Sequence, residues 1–571
     1  MKKHPVMVSL VASSLVLSVV QVSTLWIQKF DTTIVALFSA FPLFLVFGAL
    51  IQKTRDHSED SVKHLGRWTG VVISFATVTV LLLAAKYVGN LHPVPSISRL
   101  LISEDNAKWI NVVGQLAQRG SLDAMDLRGV GPAIVILLQY SLWIVRATTS
   151  NSNVVTEADA VVLAHTLLVA FAAISTYSFL RRLLAGSKNW IEISVVSLLA
   201  GSIIAGFMQN GFLSLELVTC STLALGLNVQ AFQDRSVKQY SVLIWSTTAL
   251  SWLPLIPLAI CATVGLLFQL IVKNKPGKSE DNGSVKFLEN APKILCALIG
   301  LFALLPTAFY IVHPSKKIDF SYLLTAEGGT STVSQIVIFS VLLMLFYLIT
   351  TNSKTDSLTV LALILLFYVS LVGVADVLIS SSAPHYGTNK LILFSFSIAF
   401  LLLVANVFVS ISDMNNVEKR KRMFLALAIF SIVASTEVSN GISQFGPKYW
   451  KISGVKSTPW MTAQNTRGQN LLIPVVCFVA NEGGALTGHE DVVKGYSCTR
   501  FTTAISGYDR ELSRFQAFFL GRSTLEEIRA EIEKSLDRSE LQKLGAIILN
   551  SNEEVIEIVP LMSAPPYRTS L

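Results

Sequence analysis

The sequence predicts an α-helical polytopic membrane protein, a bundle of about 13 spans, with a C-terminal extracytoplasmic α/β domain. Three observations carry that prediction. Of the 571 residues, 52% are hydrophobic and only 14% charged, at a mean hydropathy of +0.57, whereas soluble proteins usually carry about 25% charged residues. Apolar runs of roughly 18 to 23 residues recur over 1–438, each long enough to cross about 30 Å of hydrocarbon as a helix. From 439 to 571 the pattern changes to short strand-like runs and one capped helix.

Taken in order, 1–27 joins Lys2 and Lys3 to a long apolar core with no small-residue cleavage site before Trp26. It reads as an uncleaved first span with a cytoplasmic amino terminus. Spans one and two fall near 5–27 and 32–52, with a short turn at Lys29, and the charged loop 53–67 is cytoplasmic by the positive-inside rule. Span three, near 68–89, then delivers 91–158 to the outside. That segment holds an amphipathic helix from Ala107 to about Arg119, the turn Gly129-Val130-Gly131-Pro132, and a second helix at 133–145. The second helix is expected to lie in the interface, with Tyr140 and Trp143 at headgroup level, because a crossing there would invert every later basic loop.

Spans four, five and six are expected at 159–180, 191–209 and 213–232, with Arg181-Arg182 on the inner side. Residues 240–272, interrupted by Pro254 and Pro257, read as two short spans. Spans nine to thirteen follow at 293–312, 333–350, 358–380, 391–411 and 423–438. Outer loops at 313–332 and 384–390 and the inner basic run 418–422 separate them. Beyond 439, strands are expected at 471–479, 546–550 and 554–559, and a helix from the Ser523-Thr524 cap through Glu526-Glu527 to about Leu536.

The formal charge of +8 belongs to the loops that set orientation, so nucleic acid is not an expected partner. Of the five cysteines, Cys220, Cys261 and Cys296 lie in apolar segments as packing residues. Cys477 and Cys498 lie in the polar C-terminal region, where a disulfide suits an oxidising compartment.

The acids at the start of the long outer segment carry the chemistry. Asp105, or Glu104 beside it, could accept a proton from a hydroxyl attacking the anomeric carbon of a lipid-phosphate sugar. Either could instead cap the helix that begins near Ala107. Lys390, His385 and Tyr386 are candidates to bind the departing phosphate, or a snorkelling Lys with an interfacial Tyr. Lys316 and Lys317 are weaker candidates. Asp159, His165, Glu216 and Asp376 are ionisable residues near the outer ends of spans, where charge is costly and signals a partner or a function. Glu216 and Asp376 could bind sugar hydroxyls or a divalent cation, or hydrogen-bond between helices. No metal-ligand spacing stands out, and no cofactor is assigned.

The run Asp105-Asn106-Ala107-Lys108-Trp109-Ile110, then Leu116-Ala117-Gln118-Arg119-Gly120, Gly131-Pro132 and a span ending Tyr177-Ser178-Phe179-Leu180-Arg181-Arg182, resembles the first outer loop of GT-C glycosyltransferases. The resemblance covers about 100–210 and is greatest to the branch of aminoarabinose transferases and protein O-mannosyltransferases, with Trp109 where Tyr is usual. The short Tyr-Gly-x-x-Lys stretch at 386–390 is similar to outer loops of mycobacterial arabinofuranosyltransferases. Two features depart from the family pattern: the first two spans look added, and Asn106 stands where many members have a second acid. The resemblance implies inverting transfer from a polyprenyl-phosphate-linked sugar donor to an extracytoplasmic glycan, lipid or protein acceptor, at the cell membrane among its lipids. Trp109 would then stand in the substrate region. A lipid-linked sugar flippase or secondary transporter is the alternative, and a non-catalytic membrane scaffold a third.

Overall fold

Among the described residues, the apolar runs become helices. The computed structural model describes 29–31, 109, 112–113, 116, 121–123, 132–148, 154–184, 190–209, 212–231, scattered positions between 252 and 265, 335–350, 356–380, 386–412, 414–443, 473–479, 525–549 and 555–563. Its long helices are α1 (Pro132–Thr148), α2 (Val154–Leu183), α3 (Trp190–Gln209), α4 (Leu213–Ala231), α5 (Gln335–Thr350), α6 (Asp356–Ser380), α7 (Tyr386–Ser412) and α8 (Val417–Ser443). Among the described residues, two stretches are long and apolar enough to cross a membrane, Leu358–Leu378 in α6 and Gly387–Ser412 in α7.

α7 is the hub, packed against α2, α3, α4, α5, α6 and α8. Helices α2, α3 and α4 pack on one another, α8 lies against α3, and α1 rests on α2 and α4. Several hydroxyls in this interior bond within their own helices. Thr166, Thr176, Thr219, Thr222 and Ser197 each donate to the carbonyl four residues earlier, leaving apolar surfaces to pack.

Short connections set the direction of the helices. With only 184–189 and 210–212 between them, α2, α3 and α4 must reverse in turn, and 381–385 and 413–416 do the same for α6, α7 and α8. Lys390 lies against Phe212, so α4 and α7 begin at the same end of the bundle. α2 begins there too. The opposite end carries the first turn of α8, with Lys419, Lys421 and Arg422 exposed.

Three helices start five or six residues earlier than the apolar pattern indicates, and α2, at Val154 rather than 159, is one of them. α8 begins at Val417 rather than 423, because Asn416 Oδ1 accepts from the Lys419 amide at 3.0 Å and Glu418 pairs with Arg422 at 2.6 Å. α7 begins at Tyr386, so 386–390 is helix where a loop is expected. A first turn leaves its N–H groups unpaired within the helix, so it needs no apolar run of its own; here Gly387 and Thr388 are buried against the bundle.

The long segment before α1 keeps its amphipathic character. Trp109, Val112, Val113 and Leu116 are helical and buried, at the i, i+3, i+4, i+7 spacing of one helix face. Further along, Ser121–Asp123 (β2) pairs antiparallel with Lys29–Asp31 (β1), where the sequence indicates only a turn. Among the described positions between 252 and 265, the Leu255 amide donates to the Trp252 carbonyl in a tight turn, and helical positions include Pro257, while Pro254 lies outside the described residues.

Near the C-terminus, β3 (Ile473–Val479) pairs parallel with β4 (Leu544–Leu549), and β4 antiparallel with β5 (Val555–Pro560). The register shifts at Pro474, which has no N–H to give the ladder. A parallel pair needs a crossover, and the chain between β3 and β4 includes α9 (Leu525–Ser535), whose apolar face holds the buried Ile528 and Ile532. Its Glu526 and Glu527 occupy the first turn, where carboxylates complement the helix dipole.

Candidate functional site

The half of the bundle in which α4 and α7 begin holds the buried ionisable residues among those described. His165 lies on α2 and Glu216 in the first turn of α4, both fully enclosed, at 1% and 0% exposure. His165 Nδ1 lies 2.8 Å from each Glu216 carboxylate oxygen. Two ionisable groups taken out of water are costly unless paired, and this contact meets that demand. One turn along α4, Cys220 Sγ donates to the Leu168 carbonyl on α2 at 3.4 Å, so the two helices are joined twice over this stretch.

Phe212 links the buried pair to the bundle end. Its amide donates to the Phe207 carbonyl at 3.2 Å, and its own carbonyl accepts from the Glu216 amide at 2.9 Å, so it is the cap residue of α4. Its ring carries Lys390 Nζ 3.8 Å from the centroid. A partly desolvated cation–π contact of this kind is worth about 1 kcal/mol. Two residues before Lys390, Thr388 is 2% exposed and its hydroxyl has no hydrogen-bond partner. On the neighbouring α6, Asp376 is buried although most of its helix is exposed. Asp376 lies four residues before the end of α6 and Lys390 four after the start of α7, so both stand near the same bundle end.

Of the residues singled out in the sequence, His165 and Glu216 are brought into direct contact, with Lys390 one residue contact beyond, through Phe212. Trp109 is 4% exposed, within the hydrophobic core. Tyr386 and Asp159 are backbone positions at the starts of α7 and α2. Cys477 is buried and disulfide-bonded, while Cys498 lies outside the described residues, as do Asp105, Glu104, His385, Lys316 and Lys317.

Sequence reasoning passed over Phe212 and Thr388. An aromatic in a short connection between two apolar runs was the available signal for Phe212; for Thr388 there was none. Among the described residues, no group of three or more His, Cys, Asp or Glu side chains could hold a metal ion. The chain matches no protein-family model and no curated protein.

Proposed function

We propose that the chain is an inverting membrane glycosyltransferase of the GT-C type, moving a sugar from a polyprenyl-phosphate donor to an extracytoplasmic acceptor in the cell envelope. The observation that supports the reading is that Lys390 meets the Phe212 ring at the bundle end where α2, α4 and α7 begin, a cation beside an aromatic at the mouth of the bundle. In the proposed reaction the acceptor oxygen bonds to the anomeric carbon. The bond from that carbon to the phosphate oxygen breaks with its electron pair going to the phosphate, and the acceptor proton passes to Asp105 or Glu104. Lys390 and the Thr388 hydroxyl would meet the charge that grows on the phosphate.

Three further features support the membrane setting. Phe367 and Leu378 on α6 are 67% and 77% exposed, in a stripe of large apolar side chains that suits lipid better than water. The basic first turn of α8 stands at the end opposite Lys390, as expected if that end is cytoplasmic. A disulfide at Cys477 suits a domain outside the cytoplasm.

Asp105→Asn is expected to abolish sugar transfer while the protein remains folded in the membrane; near-normal turnover in that variant eliminates Asp105 as base. Mass spectrometry of a deletion strain should find an accumulated lipid-linked sugar and a truncated glycan, naming donor and acceptor together. Tryptophan placed at Phe367 should be quenched by brominated phospholipid, and its protection would remove α6 from the lipid face.

The buried His165–Glu216 pair favours one second reading, a flippase or secondary transporter, since ionisable groups inside helix bundles often carry protons or substrates. Movement of a lipid-linked sugar across vesicles without transfer would select it.

A further inference from the structure

We propose that the His165–Glu216 pair and the Phe212 ring position Lys390 for an anionic lipid headgroup, a role that rests on the donor-phosphate reading of Lys390. The connection is continuous. His165 on α2 holds the Glu216 carboxylate through both oxygens. The Glu216 amide donates to the Phe212 carbonyl, closing the first turn of α4. The Phe212 ring, 6% exposed, meets the Lys390 ammonium on α7.

A flexible four-carbon side chain near a membrane surface ordinarily samples many rotamers. A ring held still beneath it narrows that sampling, and the ring can be still only if the α4 cap is still. The cap in turn is fastened to α2 by a contact that costs too much to break casually, because breaking it leaves two buried polar groups without each other. The fully buried pair thus sits two contacts from the Lys390 ammonium while governing where that cation rests. This arrangement differs from a purely structural ion pair in one testable respect: its removal should alter Lys390 through Phe212.

The test uses the full chain in nanodiscs, with a short polyprenyl phosphate lacking the sugar as the probe, together with the rate at which a water-soluble reagent acylates Lys390. Phe212→Leu should weaken probe binding roughly fivefold and quicken acylation, whereas Phe212→Tyr, which keeps the ring, should hold wild-type affinity within about twofold. Glu216→Gln should weaken binding in the wild-type background and have almost no further effect in Phe212→Leu, since both remove the same seat. Independent, multiplying effects would overturn the proposal, as would unchanged Lys390 acylation in a folded Glu216→Gln protein. If the single variant does not fold, the pair His165→Gln with Glu216→Gln keeps a neutral hydrogen bond across the same helices; loss of Lys390 protection there with the bridge retained would equally overturn it. Lys390→Ala with unchanged probe affinity would instead remove the headgroup reading and leave the positioning claim to the acylation data.

Discussion

α6 and α7 are equally apolar yet differ in surroundings: 22% of the membrane-length stretch of α6 is buried, against 89% of that of α7. Hydropathy cannot separate them, because lipid tails and neighbouring side chains are equally apolar. What separates them is where small and polar residues fall. α7 buries Ser395, Ser397, Ala399, Ala405 and Asn406 among its large residues, so neighbours approach on every side. α6 turns Phe367, Leu371, Val374 and Leu378 outward and gives the bundle only a narrow face that includes Leu358, Ala362, Leu365 and Val369.

The contrast is broken most directly by truncating one aromatic in each helix. Phe400→Ala, in the fully enclosed part of α7, should cost about 3–5 kcal/mol in reversible unfolding, and Phe367→Ala on α6 less than about 0.5 kcal/mol. Equal losses would mean that the α6 face is covered. The next effect reverses sign between two glycines. A Cβ on Gly226 of α4 would lie 2.6 Å from Leu402 Cδ2, with Leu361 and Leu358 close behind, so Gly226→Ala should destabilise by about 1–3 kcal/mol. On α6, Gly373 has nothing within 4 Å of such a carbon, and Gly373→Ala should stabilise by about 0.5–1 kcal/mol through helix propensity. Thermal unfolding in the same detergent reads both. The smallest effect concerns the bond joining the helices: Asn406 Nδ2 donates to Thr359 Oγ1 at 2.6 Å, and Thr359→Val should cost only about 0.6 kcal/mol. A much larger loss would show that this bond, rather than apolar contact, holds α6 to the hub.

Hydropathy and punctuation made the helices legible. The expected 213–232, 333–350 and 358–380 lie within two residues of α4, α5 and α6, and the strand expected at 471–479 contains β3. Helix starts rich in polar residues were not legible, because Asn416 and the residues 386–390 are stabilised by caps and tertiary burial that leave no apolar trace. The β1–β2 pairing was likewise hidden, since two three-residue strands far apart in sequence carry no periodicity. At the candidate site, His165 and Glu216 each announced a need for a partner by standing in an apolar run, but pairing across helices is a fact of packing. The ring beneath Lys390 follows from the same packing and could not be read from spacing.

The private hydroxyl bonds of the interior helices bear on how such a bundle is assembled. A helix whose threonines and serines already answer to its own carbonyls can enter lipid alone and wait for neighbours. α2 and α4 cannot both do so without penalty, since each brings an ionisable side chain whose answer lies on the other. Their meeting is then a distinct step of assembly: until α4 joins α2, His165 lacks the counterpart it has in the finished bundle.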